Sequence, residues 1–179
     1  LTPSAQQSWR DYAARIPRPG PLGSPVQLSG HQMYVRSKLA AKNANEFLQQ
    51  NVFLVPDLAP SGSTLPAFVE SPIVQTAIES TQLISVTFST SEAWVNEDGA
   101  FMRIDVSPPQ GPGREFFKGP FQNGLIVQGS SISPPTSPVD VASPFPFKAG
   151  QKIWLSMNIF RVDGGFGSPN IEGPIVAIS

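Results

Sequence analysis

The chain has 179 residues, of which 40% are hydrophobic, enough for a single domain with a buried core. It has no cysteine, which excludes disulfides, zinc–thiolate sites and thiol catalysis. Charged residues make up only 14% of the chain, well below the roughly 25% of ordinary soluble proteins. We therefore expect much of the surface to be covered by something else. No run of about 18 apolar residues occurs, so no membrane-spanning segment is predicted.

The first predicted element is a short helix that follows Thr2. Thr2 can accept a hydrogen bond from a free amide of the first turn, and Pro3 suits the first helical position because no backbone donor is needed there. Pro17 ends the helix, and a Pro/Gly connector follows. The apolar residues of this segment recur at helical spacing: Ala5, Trp9, Tyr12, Ala13 and Ile16.

A second helix is predicted to begin at Ser29-Gly30-His31-Gln32. This stretch has the form of a capping box, in which Ser29 binds the amide of Gln32 and the Gln32 side chain reaches back. His31, the only histidine, lies in the first turn, where we expect a surface or packing residue and not a catalytic one. The predicted buried face of this helix consists of Tyr34, Val35 and Leu39.

Helical periodicity disappears after about residue 50. Residues 51–72 are apolar but broken by Pro and Gly, which predicts an extended arm. Short strand-like runs separated by turn signals then follow, and they predict an antiparallel β-sandwich over residues 73–179. The sequence therefore predicts a mainly β protein, in which a helical segment with two short helices over residues 1–50 and a Pro-rich arm precede the sandwich.

One strand-like run, residues 152–160, carries large apolar side chains on both faces. Ile153, Leu155, Met157 and Ile159 share one face, and the other holds Trp154, Ser156, Asn158 and Phe160. Such a strand is central or covered on its second side, and the two helices are the candidates for that cover. In an earlier run, Val86 and Phe88 are expected to point inward and Thr87 outward.

The segment FKAGQKIWLSMNIFRVDGGFGSPNIEGPIV resembles the last two strands of a fibronectin type III or related immunoglobulin-like domain. The shared features are a strand led by Gly150, a turn at Asp163-Gly164, and Ser168-Pro169 before the last strand. This resemblance implies an immunoglobulin-like sandwich.

The front of the chain carries a second pattern. It consists of Trp9, Tyr12 and Ala13, then Leu22-Gly23 in the connector, then Leu28, Ser29, Gly30 and Tyr34. This pattern is similar to that of uncharacterised proteins encoded by bacteriophages and prophages, which join two short helices to an immunoglobulin-like sandwich. The resemblance implies a virion-associated structural protein and carries over no catalytic residue. Such proteins often have Asn in the connector, where this chain has Pro19-Gly20-Pro21.

Few residues offer catalytic or metal-binding chemistry. His31 is the only base around which a Ser–His–acid triad could be built. Glu97, Asp98 and Asp105 are conceivable glycosidase carboxylates. However, Asn-Glu-Asp-Gly is turn sequence, and Asp105 alternates to the solvent face of its strand. Asn96, Glu97 and Asp98 lack the spacing of a calcium loop. We therefore expect no enzyme activity, no metal and no cofactor.

Positive charge collects at the front of the chain. Residues 1–55 hold six Lys and Arg against two acidic residues, a balance of +4, whereas the remainder has a balance of −5. Arg36, Lys38 and Lys42 form the tightest cluster and are a candidate basic contact face. Such a face suits nucleic-acid phosphates. We favour a solvated helix face or a contact with an acidic partner, because few aromatic residues interleave with the basic ones.

The main functional hypothesis is a non-enzymatic structural protein of a virus particle, a minor capsid or decoration-type component located in the virion. Its partners would be copies of itself and other virion proteins, the major capsid protein among them. Ordering a long irregular segment costs conformational entropy that an isolated domain does not easily offset, so neighbouring subunits are expected to order these segments. These arms are residues 17–28, 52–72, 107–114 and 131–147. The expected exposed anchors are Phe53, Leu54, Leu58 and Phe68.

The alternative hypothesis is a cell-surface or tail-fibre module that recognises carbohydrate or protein through loops at the end of the sandwich. Two loops carry aromatic side chains that could stack on sugars, Glu115-Phe116-Phe117 and Gly164-Gly165-Phe166. The favoured interpretation is that these rings cap the ends of the core. Stoichiometry separates the two hypotheses, since an assembly protein self-associates and a binding module is a monomer with a ligand.

Overall fold

A computed structural model describes residues 1–16, 18–19, 25–62, 65–68, 74–167 and 169–179. Helix α1 spans Pro3–Arg15 and helix α2 spans Gly30–Leu48. Two short antiparallel strands in the connector between them, β1 (Arg18–Pro19) and β2 (Pro25–Val26), pair with each other. Among the described residues, no helix is both long and apolar enough to cross a bilayer.

Seven further strands form two antiparallel sheets. The three-stranded sheet has the order β3-β4-β7, with strands Val74–Ile78, Leu83–Thr87 and Val139–Ala142. The four-stranded sheet has the order β6-β5-β8-β9, with strands Gln122–Gln128, Phe101–Val106, Lys152–Phe160 and Asn170–Val176. A short 3₁₀ helix, Ala93–Asn96, lies in the connection from β4 to β5. The chain therefore crosses between the sheets three times, and the predicted mainly β architecture with two preceding helices is confirmed.

The main core lies between the two sheets. Ile84 and Val86 on β4 are buried, and so is Phe88, which follows the end of the strand. Thr87 faces outward. The inward face of β8 contributes a row of four buried side chains, Ile153, Leu155, Met157 and Ile159. The period-two pattern of both runs therefore correctly predicted which side chains enter this core.

A second core lies on the outer face of the four-stranded sheet, under the helices. Phe101 on β5 stacks on Phe160 on β8, with ring centroids 4.8 Å apart. Trp9 and Tyr12 from α1 are buried in the same cluster. Helix α2 adds Met33 and a run of small residues, Ala40, Ala41 and Ala44. The prediction that the helices cover the second face of the Lys152–Phe160 strand is confirmed at the Phe160 end. At the other end, Trp154 is covered by Phe117 from the loop before β6.

The buried face of α2 differs from the predicted one. Leu39 is 52% exposed, and Tyr34 and Val35 are half-buried. The helix turns its small residues toward the sheet because the phenyl rings of Phe101 and Phe160 already fill the space there. Side-chain hydrophobicity alone therefore predicted the wrong buried face for α2.

Both helix starts are closed by side chains. Thr2 Oγ1 accepts a hydrogen bond from the Ala5 amide at 3.3 Å. Ser29 Oγ accepts from the Gln32 amide at 3.2 Å, and Gln32 Oε1 accepts from the Ser29 amide at 2.8 Å. This reciprocal pair fixes where α2 begins.

Residues 131–147 are not the structureless loop that the sequence suggested, because β7 lies inside them and pairs with β4. The run Val139–Ala142 is short and holds only two β-branched residues, so its sequence only weakly indicates a strand. Residues 107–114 are likewise tied to the sheet. The Gln110 amide donates to the Lys152 carbonyl, and the Gln110 carbonyl accepts from the Lys152 amide in return.

Helices α1 and α2 meet backbone to backbone at Gly30. A Cβ placed on Gly30 would lie 2.6 Å from the carbonyl carbon of Trp9 and 2.7 Å from the Cα of Arg10. No real side chain tolerates such distances, so the two helices must separate to admit one.

We therefore expect Gly30→Ala to destabilise the fold by about 1–3 kcal/mol, although alanine is normally the better helix former. Gly111→Ala is the matched control, because a Cβ at Gly111 meets nothing within 4 Å. Chemical denaturation of both variants measures the difference. Equal free energies of unfolding for the two variants would contradict the close helix crossing.

Candidate interaction surface

The arm that follows α2 is held by the side chain of Asn45. The amide oxygen of Asn45 accepts hydrogen bonds from the backbone amides of Val52 and Phe53, both at 3.0 Å. Its nitrogen donates to the Phe53 carbonyl at 2.9 Å. One side chain thus binds three backbone groups and returns the chain along the helix it has just left.

Other helix residues fasten the arm farther along. From α2, Lys38 Nζ donates to the Val55 carbonyl at 3.1 Å. From α1, the Trp9 indole donates to the Asp57 carbonyl at 2.9 Å, Ser8 accepts from the Ala59 amide at 3.1 Å, and Arg15 donates to the Pro60 carbonyl at 3.1 Å. These bonds satisfy backbone groups that no sheet pairs, so the arm is ordered within one chain. Neighbouring subunits were expected to order this arm, but residues 52–60 have hydrogen-bond partners within their own chain.

Side chains along the arm alternate as in a strand. Phe53 and Val55 are 2% and 5% exposed, and the Phe53 ring lies 4.5 Å from that of Phe101. Val52 and Leu54 point the other way, at 49% and 66% exposed. Phe53 is therefore a core residue and not an exposed anchor, because the outer face of the sheet needs it as cover.

The remaining predicted anchors divide in the same way. Leu58 is 60% exposed, whereas Phe68 is half-buried and packs against the core between the sheets. We call Val52, Leu54 and Leu58 the arm strip. Residues 63–64 and 69–73 of the predicted arm, and residues 17 and 20–24 of the connector, lie outside the described residues.

The three basic residues do not form one free face. Arg36 donates to the carbonyls of Phe166, at 2.8 Å, and Gly167, and its guanidinium lies 4.6 Å from the centre of the Phe166 ring. Lys38 is bound to the arm, and exposed Lys42 lies 3.5 Å from Glu46. Positions 36 and 38 are about 200° apart around a helix, so they contact different neighbours.

The turn carboxylates are directed to separate partners. Glu97 accepts hydrogen bonds from Arg161 and from the Val162 amide, whereas Asp98 accepts from Ser131. Within the residues described, no group of three or more His, Asp or Glu side chains is arranged to hold a metal ion. His31 is exposed in the first turn of α2, as expected from its place in the capping box.

Asp105 was expected on the solvent face of its strand, and this is wrong. It is 7% exposed on the outer face of β5, between its register partners Asn123 and Ser156. Arg103 Nε donates to its Oδ1 at 2.8 Å. Burial raises the pKa of Asp105, and the positive charge and hydrogen bond of Arg103 only partly oppose that change.

The loop aromatics mostly cap the core. Phe117 is 8% exposed and stacks on Trp154, with centroids 5.9 Å apart, and half-buried Phe166 packs near Phe160. Phe116 is the exception at 66% exposed. Only one of the three rings is therefore free to stack on a ligand.

Sequence reasoning missed Asn45, Ser8 and Trp9 as the residues that hold the arm. Trp9 and Asp57 are 48 positions apart, and the acceptor is a backbone carbonyl, so no local pattern marks the pair.

Comparisons with protein-family models, with curated proteins and with solved structures found no match for this chain.

We expect Asn45→Ala to release the start of the arm and to destabilise the protein by about 1–3 kcal/mol, because backbone groups of Phe53 lose their partners in a partly buried place. Amide hydrogen exchange at Val52 and Phe53 should accelerate. Asn43→Ala on the exposed side of the same helix is the control and should leave both amides unchanged. Unchanged protection in Asn45→Ala would contradict the role of Asn45.

The raised pKa of Asp105 predicts a specific pH dependence. Below the ordinary value of 3.8 the carboxyl is protonated in both states, and its full stabilising contribution is present. That contribution is lost as pH rises through the higher folded-state pKa. The free energy of unfolding of the wild type, minus that of Asp105→Asn, should therefore fall from below pH 3.8 towards neutrality. A difference that rises with pH would overturn the assignment.

Proposed function

We propose that this chain is a non-enzymatic structural component of a virus particle, a minor capsid or decoration-type protein that acts in the virion through subunit contacts. The arm strip carries the proposal. Three large apolar side chains stand outward on a backbone that two helices hold in place, and an exposed apolar patch of this kind is typical of interaction sites. A surface already ordered before binding loses little conformational freedom on association.

The sandwich itself is proposed to be of the immunoglobulin or fibronectin type III kind. In its support, seven strands are divided three against four, and the connections cross from sheet to sheet as in a Greek key. A parallel bridge between Ile78 and Ile178 also joins the edges of the two sheets. Bacteriophage origin is supported by the sequence resemblance of the front of the chain.

We infer that the partners are copies of this chain and other coat proteins, the major capsid protein among them. Two of the three residues of the candidate basic face, Arg36 and Lys38, already bind backbone carbonyls. The two side chains are fixed on different neighbours and do not form one row of charges. This favours protein over nucleic acid as the partner of α2, because nucleic-acid binding needs several cations that share a face along the phosphate backbone.

Phe116 favours a second candidate function, a module that recognises carbohydrate or protein on a cell surface. Its exposed ring lies 5.7 Å from the Arg114 guanidinium at the end of the sandwich. A monomer that binds glycans, and loses that binding in Phe116→Ala, would favour this candidate over the assembly role.

The test of the assembly role is the solution mass by light scattering over a wide range of concentrations. We expect the wild type to self-associate. The double variant Leu54→Ser/Leu58→Ser should need at least about tenfold higher protein concentration to associate to the same extent, because serine removes most of the apolar area that the contact would bury. Val176→Ser is the control, at a similarly exposed apolar site on β9. A wild type that remains a monomer throughout, or a control that matches the double variant, would contradict the proposal.

A further inference from the structure

Ile132 is 92% exposed, the most exposed of the large apolar side chains described. Its loop is nevertheless ordered. The Ser130 amide donates to the Val95 carbonyl at 2.9 Å, and Ser130 Oγ accepts from the amides of Ile132 and Ser133 at 3.3 and 3.1 Å. The side chain of Ile132 thus stands on a fixed support and faces water.

A carboxylate is fixed beside Ile132. The amide and hydroxyl of Ser131 donate to the two oxygens of Asp98, at 2.9 and 2.6 Å. These bonds favour the charged form and lower the pKa of Asp98. The loop therefore presents an apolar projection next to a carboxylate that Ser131 holds in place.

A groove of complementary character runs between α2 and the turn after β8. Its volume is about 420 Å³, and Val35, Leu39, Ala40 and Phe166 supply its apolar walls. Arg36 and Arg103 also line it. Among the described residues Arg36 binds carbonyl groups and no carboxylate, so the groove keeps positive charge although Asp105 pairs with Arg103.

We propose that Ile132 of one copy inserts into this groove on the next copy, with Asp98 facing Arg36. The inference rests on the proposed assembly function and names a second contact, separate from the arm strip. Ile132 does not fill the groove of its own copy, since it is 92% exposed. Because the projection and the groove are different surfaces, the contact forms either twice in a two-fold dimer or head-to-tail in rings and open chains. One isoleucine makes a weak contact, which gains strength through repetition in an assembly.

The absence of native cysteine permits a direct test. Ile132→Cys and Leu39→Cys are made separately, since both sites are exposed, and are then mixed and oxidised with glutathione disulfide. A disulfide forms only when the two Cβ atoms come within about 4.5 Å. We expect at least a fivefold excess of the 132–39 disulfide over the disulfide from the control mixture of Ile132→Cys with Val176→Cys. High salt should reduce this excess.

Equal yields from the two mixtures would overturn the inference. The proposed assembly function would still hold in that case if light scattering shows that the wild type self-associates and that this depends on Leu54 and Leu58. A wild type that stays monomeric overturns the assembly function by itself, whatever the disulfide yields are.

Discussion

The outer face of the four-stranded sheet imposes the constraint on which the rest of the structure depends. At one end it presents Phe101 and Phe160, two stacked rings that would be costly to leave in water. The helices cover these rings, and α2 can lie close to them because its buried residues are small. Phe53 completes the cover from the arm. The N-terminal helices and the arm are therefore part of the folded core, and the sandwich cannot bury the Phe101 and Phe160 end of this face without them.

This packing determines the character of the surface. An extended chain that buries every second side chain must expose the others, so the burial of Phe53 and Val55 places Val52 and Leu54 in solvent. The helices also use basic side chains to hold the arm and the turn after β8. The same contacts that stabilise the fold thus produce an apolar strip on one side of α2 and a cation-lined groove on the other. Both proposed subunit contacts follow from that arrangement.

The features that could be predicted are those determined by neighbours in sequence. Capping at Ser29 and the alternation along β8 depend on residues a few positions apart, and both are visible in the chain. The exposure of Leu39 and the burial of Phe53 depend on which surface the helix and the arm meet, and that is decided by residues far away in sequence. Asp105 was misassigned because alternation predicts the face of a strand but not what lies over that face. For the candidate interaction surface, the exposure of Leu54 and Leu58 was predicted from hydrophobicity. The residues that fix their position act through backbone groups and leave no pattern in the sequence.

The most direct test of this account is amide hydrogen exchange of the arm in the dilute, monomeric chain. We expect the amides of Val52, Phe53 and Ala59, which donate to Asn45 and Ser8, to be protected at all concentrations. Protection that is absent in the monomer and develops only on self-association would contradict it. The arm would then be ordered by neighbouring subunits, and the strip of Leu54 and Leu58 would not exist before the contact forms.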